Sequence, residues 1–322
     1  MSDRSRAPVF VIGSPRSGTT LLYHTLLSAG GFAHYRAETH VMNTLGPACG
    51  DLRAVANRER LLSIWLGSRM HVKSGLTEAD VRALRDRFSS AGAFLKLVMD
   101  LVTARQGAQR WAETTPVHVL QMPAIKAAIP DALFVHVIRD GRDVAHSLTA
   151  LGWVKPLPWD REQPVLAAGA SWDWIVRRGR ADGRHLGRDY LEVRYEALVD
   201  QPEAVLAELS RFVAQPLDYR VIQANAVGSV ARPNTSFPGQ TRSFSGRWRD
   251  AIAPGTLATL EAMIGPTLDV LGYERAATVV GSGGWRRVPY DVRFGGLHWL
   301  KLHTPLGRKA DLELFARELA HT

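Results

Sequence analysis

One stretch, PVFVIGSPRSGTT over residues 8–20, constrains this chain more than any other. An apolar run from Val9 to Ile12 empties into Gly13-Ser14-Pro15-Arg16-Ser17-Gly18, and Thr19 then opens a pattern with helical spacing. The segment therefore reads as strand, tight turn and helix, with the helix expected over 17–29 and stopped by Gly30-Gly31. Such a turn favours anions: glycines allow close backbone approach, successive N–H groups converge, and the helix dipole adds positive potential. Arg16 and the hydroxyls of Ser17, Thr19 and Thr20 add further donors. An ordinary βα turn would leave that run of hydroxyls and glycines unexplained.

The pattern occurs a second time. ALFVHVI (132–138) is the best buried strand in the chain, and it runs straight into RDGRDVAHS (139–147), again a polar turn at a helix start. Two such units indicate an α/β fold with a central parallel sheet flanked by helices, and with ligands at the C-terminal ends of the strands. Further strands are expected at 109–115 and 191–195, and helices at 91–105, 165–180, 202–213 and 254–271. The chain has 322 residues, 46% of them hydrophobic, enough to bury a full core. Residues 1–275 read as one domain. Beyond a Gly-Ser-Gly-Gly linker composition, 276–322 reads as a basic C-terminal extension that wraps the domain or makes a subunit contact, with membrane-surface attachment as a weaker alternative.

Charge and cysteine usage narrow the function. The net charge of +9 suits an anionic ligand, but the basic residues are spread along the chain without a basic arm, so nucleic acid is not an expected partner. Cys49 is the only cysteine, which excludes an intrachain disulfide. No apolar run approaches the roughly 20 residues of a membrane span. The eight residues before the first strand leave no room for a signal peptide. A cytoplasmic location is the expectation.

Gly13 and Gly18 have the G-x-x-x-x-G spacing of a nucleotide-triphosphatase P-loop, but Thr19 stands where that motif places its lysine, and the positive charge sits within the turn at Arg16. PRSGTT after the first strand, with VIRDGRDVAHS after a middle strand, resembles the sulfotransferases that use 3′-phosphoadenosine 5′-phosphosulfate (PAPS), in particular the branch of tyrosylprotein and many bacterial sulfotransferases. The resemblance covers residues 8–271 and implies a P-loop-type three-layer fold. It implies that Arg16, Ser17, Gly18, Thr19 and Thr20 hold the 5′-phosphosulfate, that Arg139 and Ser147 hold the 3′-phosphate, and that Tyr195 lies near the nucleotide. A late segment, 241–249, is matched more loosely and brings Arg242, Arg247, Arg249 and Trp248 towards the nucleotide.

The chemistry is compatible with that assignment. A sulfuryl group carries less charge than a phosphoryl group, so arginine, hydroxyl and backbone donors suffice for its transfer, and no metal is expected. A dianionic 3′-phosphate needs a dedicated cation and hydroxyl. The attacking acceptor must lose a proton, and the resemblance places the base at Glu38, in Ala37-Glu38-Thr39-His40, with His40 and His34 as rivals. Many relatives carry a lysine where this chain has Thr114, so either Arg16 takes its place at the bridging oxygen or the rate is lower. Glu113 is expected to orient Arg16 or the acceptor, and Arg142 and Asp143 to satisfy each other or helix ends. Trp172 and Trp174 read as core, Trp153 and Trp159 as an apolar lid over an acceptor, and Cys49 as inert. The acceptor stays open among small molecule, carbohydrate, lipid and peptide. The rival functions are a P-loop kinase using magnesium-ATP and an inactive nucleotide-binding scaffold.

Overall fold

A computed structural model describes residues 4–227, 245–276 and 282–320. The strands are β1 (Val9–Gly13), β2 (Phe32–Ala33), β3 (Arg110–Glu113), β4 (Leu133–Ile138) and β5 (Tyr190–Arg194). They form one parallel sheet in the order β2-β3-β1-β4-β5. The helices that matter for the site are α1 (Thr19–Ser28), α2 (Val55–Leu66), α3 (Ala91–Arg105), α4 (Gly141–Leu151), α5 (Pro164–Arg184), α6 (Pro202–Val213), α7 (Pro254–Val270), α8 (Arg287–His303) and α9 (Pro305–Ala320).

The period of the strands sorts the core into layers. Phe10, Ile12 and Phe134 face one side of the sheet, where they meet Leu61, Leu62 and Trp65 of α2 and Phe94, Leu95 and Val98 of α3. Val9, Val11, Val135 and Val137 face the other side, against Leu22 and Leu26 of α1 and Leu206 and Leu209 of α6. Helix starts follow their caps. Ser90 accepts from the Ala93 N–H ahead of α3, and Asp140 accepts from the Arg142 N–H ahead of α4.

Register then positions the site. Gly13 pairs with Val137, Phe10 with Glu113 and Ile138 with Arg194, so β3, β1, β4 and β5 all end at one edge. The turn at Arg16 therefore leaves the sheet between Glu113 on one side and Arg139 on the other. The C-terminal extension is helical and lies against the domain. The buried Tyr290 hydroxyl of α8 donates to Asp160 at 2.9 Å, and Arg177 of α5 donates to Asp291 at 2.6 Å. Among the described residues no helix is long and apolar enough to cross a membrane.

Candidate active site

Two glycines shape the first turn. A side chain at Gly13 would place its Cβ 2.5 Å from the Val137 carbonyl oxygen, and one at Gly18 would run into the Tyr195 ring. Gly18 also has φ +97°, a left-handed conformation that glycine adopts without cost. Arg16 is itself left-handed, with φ 70°. Thr19 is buried and Thr20 exposed. Ser17 is fully buried, and its hydroxyl has no hydrogen-bond partner within the described protein.

Tertiary structure joins this turn to the second motif. Arg16 Nε donates to Ser147 Oγ at 3.0 Å, although 131 residues separate them. Arg139 donates to the Arg16 carbonyl oxygen at 3.2 Å, and its guanidinium lies 4.5 Å from the centre of the Tyr195 ring. Burial, and then the like charge of Arg139, lower the pKa of Arg16. Two guanidinium groups held this close repel, and an anion between or beside them relieves the repulsion. Burial raises the pKa of the Tyr195 phenol, opposed by Arg139.

The late segment reaches the site by a different route from the one expected. Arg142 does not pair with Asp143. It is buried, bonds Asp140 at 2.8 Å and Glu261 at 2.5 Å, and stacks 3.7 Å over the Trp248 ring. Asp143 instead accepts the backbone N–H groups of Gly246, at 2.7 Å, and Trp248, at 3.1 Å, and so pins this segment against α4. Trp248 is buried beneath the Arg142 and Arg249 guanidinium groups, which makes it a packing residue of the segment and not a surface offered to a nucleotide. Arg247 comes close enough to His146, the neighbour of Ser147, to lower its pKa after burial has done so. Arg242 lies outside the described residues.

On the β2 and β3 side, the two rival bases prove to be partners. Glu38 is exposed, and its Oε2 lies 3.2 Å from His40 Nε2. His34 is exposed, and its backbone exchanges two hydrogen bonds with the Gln106 side chain. Glu113 is fully buried and bonds Thr39, Thr115 and His118, not Arg16. Beside it Thr114 is buried, and its hydroxyl has no partner among the described residues. Thr39 and Thr115 are polar residues whose roles no sequence pattern flagged. Trp172 is core, whereas Trp153 and Trp159 are exposed on the loop after α4. Cys49 is buried, which pushes its thiol up to about 11.

Comparison with known proteins agrees with this architecture. A family model described as "Sulfotransferase family" matches residues 8–219. A putative protein-tyrosine sulfotransferase of Caenorhabditis briggsae is 23% identical over 290 residues, covering 84% of this chain and 90% of that protein. The protein-tyrosine sulfotransferase of Drosophila melanogaster is 26% identical over 286 residues, covering 84% of this chain and 52% of its own length. The sulfotransferase domain of the Synechococcus PCC 7002 olefin synthase has the same fold, with a TM-score of 0.52 at 17% identity over 92% of this chain and 97% of that domain.

Proposed function

Because the chain belongs to the sulfotransferase family, we propose that it moves a sulfuryl group from PAPS to an acceptor hydroxyl, with Glu38 taking the acceptor's proton. The observation that carries this reading is the meeting of Arg16 with Ser147, with Arg139 alongside. Two separate strand–turn–helix units thereby put two cations and a hydroxyl at one place.

The residues fit the donor. The buried hydroxyls of Ser17 and Thr114, which have no partners among the described residues, lie in the turns that follow the adjacent strands β1 and β3, and Gly18 keeps the turn clear of Tyr195. Arg16, Ser17, Gly18, Thr19 and Thr20 would hold the 5′-phosphosulfate, and Arg139 with Ser147 the 3′-phosphate. Tyr195 would border the nucleotide, and Arg247, beside α4, would add charge near the 3′-phosphate. The donor supplies an activated sulfuryl group; the protein supplies orientation, counter-charge and a proton acceptor. Glu38 need not ionise the acceptor beforehand, because accepting its proton in the transition state is sufficient. Arg16, within the turn, is placed to oppose charge on the departing phosphate.

The names of the curated relatives make a peptide tyrosine the first acceptor class to test. A phenol, with an ordinary pKa near 10, gives up its proton more readily than an alcohol does. The discriminating experiment is thermal shift. A ligand at 100 times its dissociation constant stabilises by about 2.7 kcal/mol, and 3′,5′-adenosine bisphosphate should do so in the presence of a magnesium chelator. A response only to magnesium-ATP would sink the proposal in favour of a kinase. Consumption of labelled PAPS with a tyrosine peptide then separates an active enzyme from a binding scaffold.

A further inference from the structure

We propose that Glu113 is a positioning residue for proton transfer: it fixes the Glu38–His40 pair by locking Thr39, the residue between them. This rests on the reading of Glu38 as the base.

Glu113 ends β3, is fully buried and stands beside Phe10 of β1. A carboxylate in such a place must be satisfied by donors, and three side chains supply them. Thr39 Oγ1 donates to Oε1 at 2.8 Å, Thr115 Oγ1 donates to the same oxygen, and His118 Nδ1 lies 3.1 Å from Oε2. Burial opposes the charge, but the His118 imidazole and the two hydroxyls outweigh it and hold the carboxyl below its ordinary pKa. Thr115, its hydroxyl hydrogen directed at Glu113, accepts with its oxygen from the backbone N–H groups of Thr39, at 2.9 Å, and His40, at 3.4 Å.

Two consecutive backbone groups and one side chain of the 38–40 turn are thus tied to the end of β3. The tie has a visible consequence at His40, whose φ of 49° is uncommon outside glycine. That conformation accompanies the approach of its Nε2 to 3.2 Å from the exposed Glu38, while Thr39 between them is fully buried. Since β3 is paired directly with β1, the same anchor holds the turn against the strand that feeds Arg16. Glu113 touches neither donor nor acceptor and acts through Thr39.

The test uses the full chain with PAPS and the phenol 4-methylumbelliferone as acceptor probe. Glu113→Gln should lower kcat about tenfold or more while leaving the KM for PAPS and the affinity for adenosine bisphosphate within about twofold. Thr39→Val should do the same, and Thr39→Ser, which keeps the hydroxyl, should recover most of the rate. The double variant Glu38→Gln/Glu113→Gln should be no slower than Glu38→Gln alone, because a positioning residue has nothing to position once the base is gone. If Glu113→Gln does not fold, the two Thr39 variants decide. Wild-type kcat in folded Glu113→Gln and Thr39→Val overturns the proposal alone, as does a loss that multiplies with that of Glu38→Gln. An unchanged kcat in Glu38→Gln removes the base itself, and the role of Glu113 falls with it.

Discussion

The turn at Arg16 and the turn at Glu38 lie at the same edge of one sheet but are held by different means. The Arg16 turn is built from contiguous sequence: a buried strand sets its entry, Gly13 and Gly18 let it pass Val137 and Tyr195, and a helix sets its exit. Its partners Arg139 and Ser147 arrive in a second unit of the same design. The Glu38 turn has no such frame. The two-residue strand β2 precedes it, a short π-helical turn follows it and holds His40 through Asn43 at 3.3 Å, and its remaining anchors, Glu113 and Thr115, are more than 70 residues away. The shape of the first turn is therefore specified locally, whereas the proposed base is placed beside it through long-range polar contacts.

The sharpest way to break this comparison is to remove the base. Glu38→Gln should cut turnover by about 10²- to 10⁴-fold with nucleotide affinity nearly intact, as measured by kcat beside calorimetric binding of adenosine bisphosphate. Equal losses in both quantities would show that the two turns are not separable.

Acid should act on the other side. His136, in β4 next to the Arg139 turn, is buried against the Tyr190 hydroxyl at 2.6 Å, and burial lowers its pKa from 6.5 to about 4. The unfolded chain takes up a proton below pH 6.5 that the native state refuses until about pH 4. Stability should therefore fall as pH drops through that window, by about 3 kcal/mol in total, and level off below it. Denaturant melts of wild type and His136→Gln would show it as a flatter pH dependence in the variant.

Arg139→Ala should weaken adenosine bisphosphate binding by about 10- to 100-fold, the value of one charge-assisted interaction, while kcat at saturating PAPS changes little. An effect confined to kcat would move Arg139 from the binding half to the catalytic half. The smallest effect is expected where the donor side is tied to the late segment, at Asp143. Asp143→Asn keeps one of the two acceptors for Gly246 and Trp248, so it should cost about 1 kcal/mol of stability and a few-fold in nucleotide affinity, read by thermal melt and titration.

Much of the donor half was legible in the chain because its determinants are close together: apolar strands of period two, glycines at turns, and hydroxyls at a helix start. The helix over Ala91–Arg105 and the strand at Leu133–Ile138 match their sequence patterns for the same reason. Of the two roles expected for Arg142 and Asp143, pairing with each other fails, whereas Asp143 does serve a helix end, accepting from the N–H of Trp248 at the start of the short helix Trp248–Ala251. The fold gave Arg142 to Asp140 and Glu261, and Asp143 to backbone groups of a segment some 100 residues on. Trp248 is brought towards the nucleotide only by the loose match of its segment, and the guanidinium groups of Arg142 and Arg249 lie over its ring.

The sequence by itself determined that the chain makes a parallel α/β sheet with two glycine- and hydroxyl-bearing turns at the C-terminal ends of its strands, since each turn is encoded within about a dozen residues. Only the tertiary structure decided that the two turns share a site, that Glu38 and His40 form a pair, and that buried Glu113 stands behind them. Those facts depend on which strands become neighbours, and strand order is set by packing the whole chain, not by any single stretch of it.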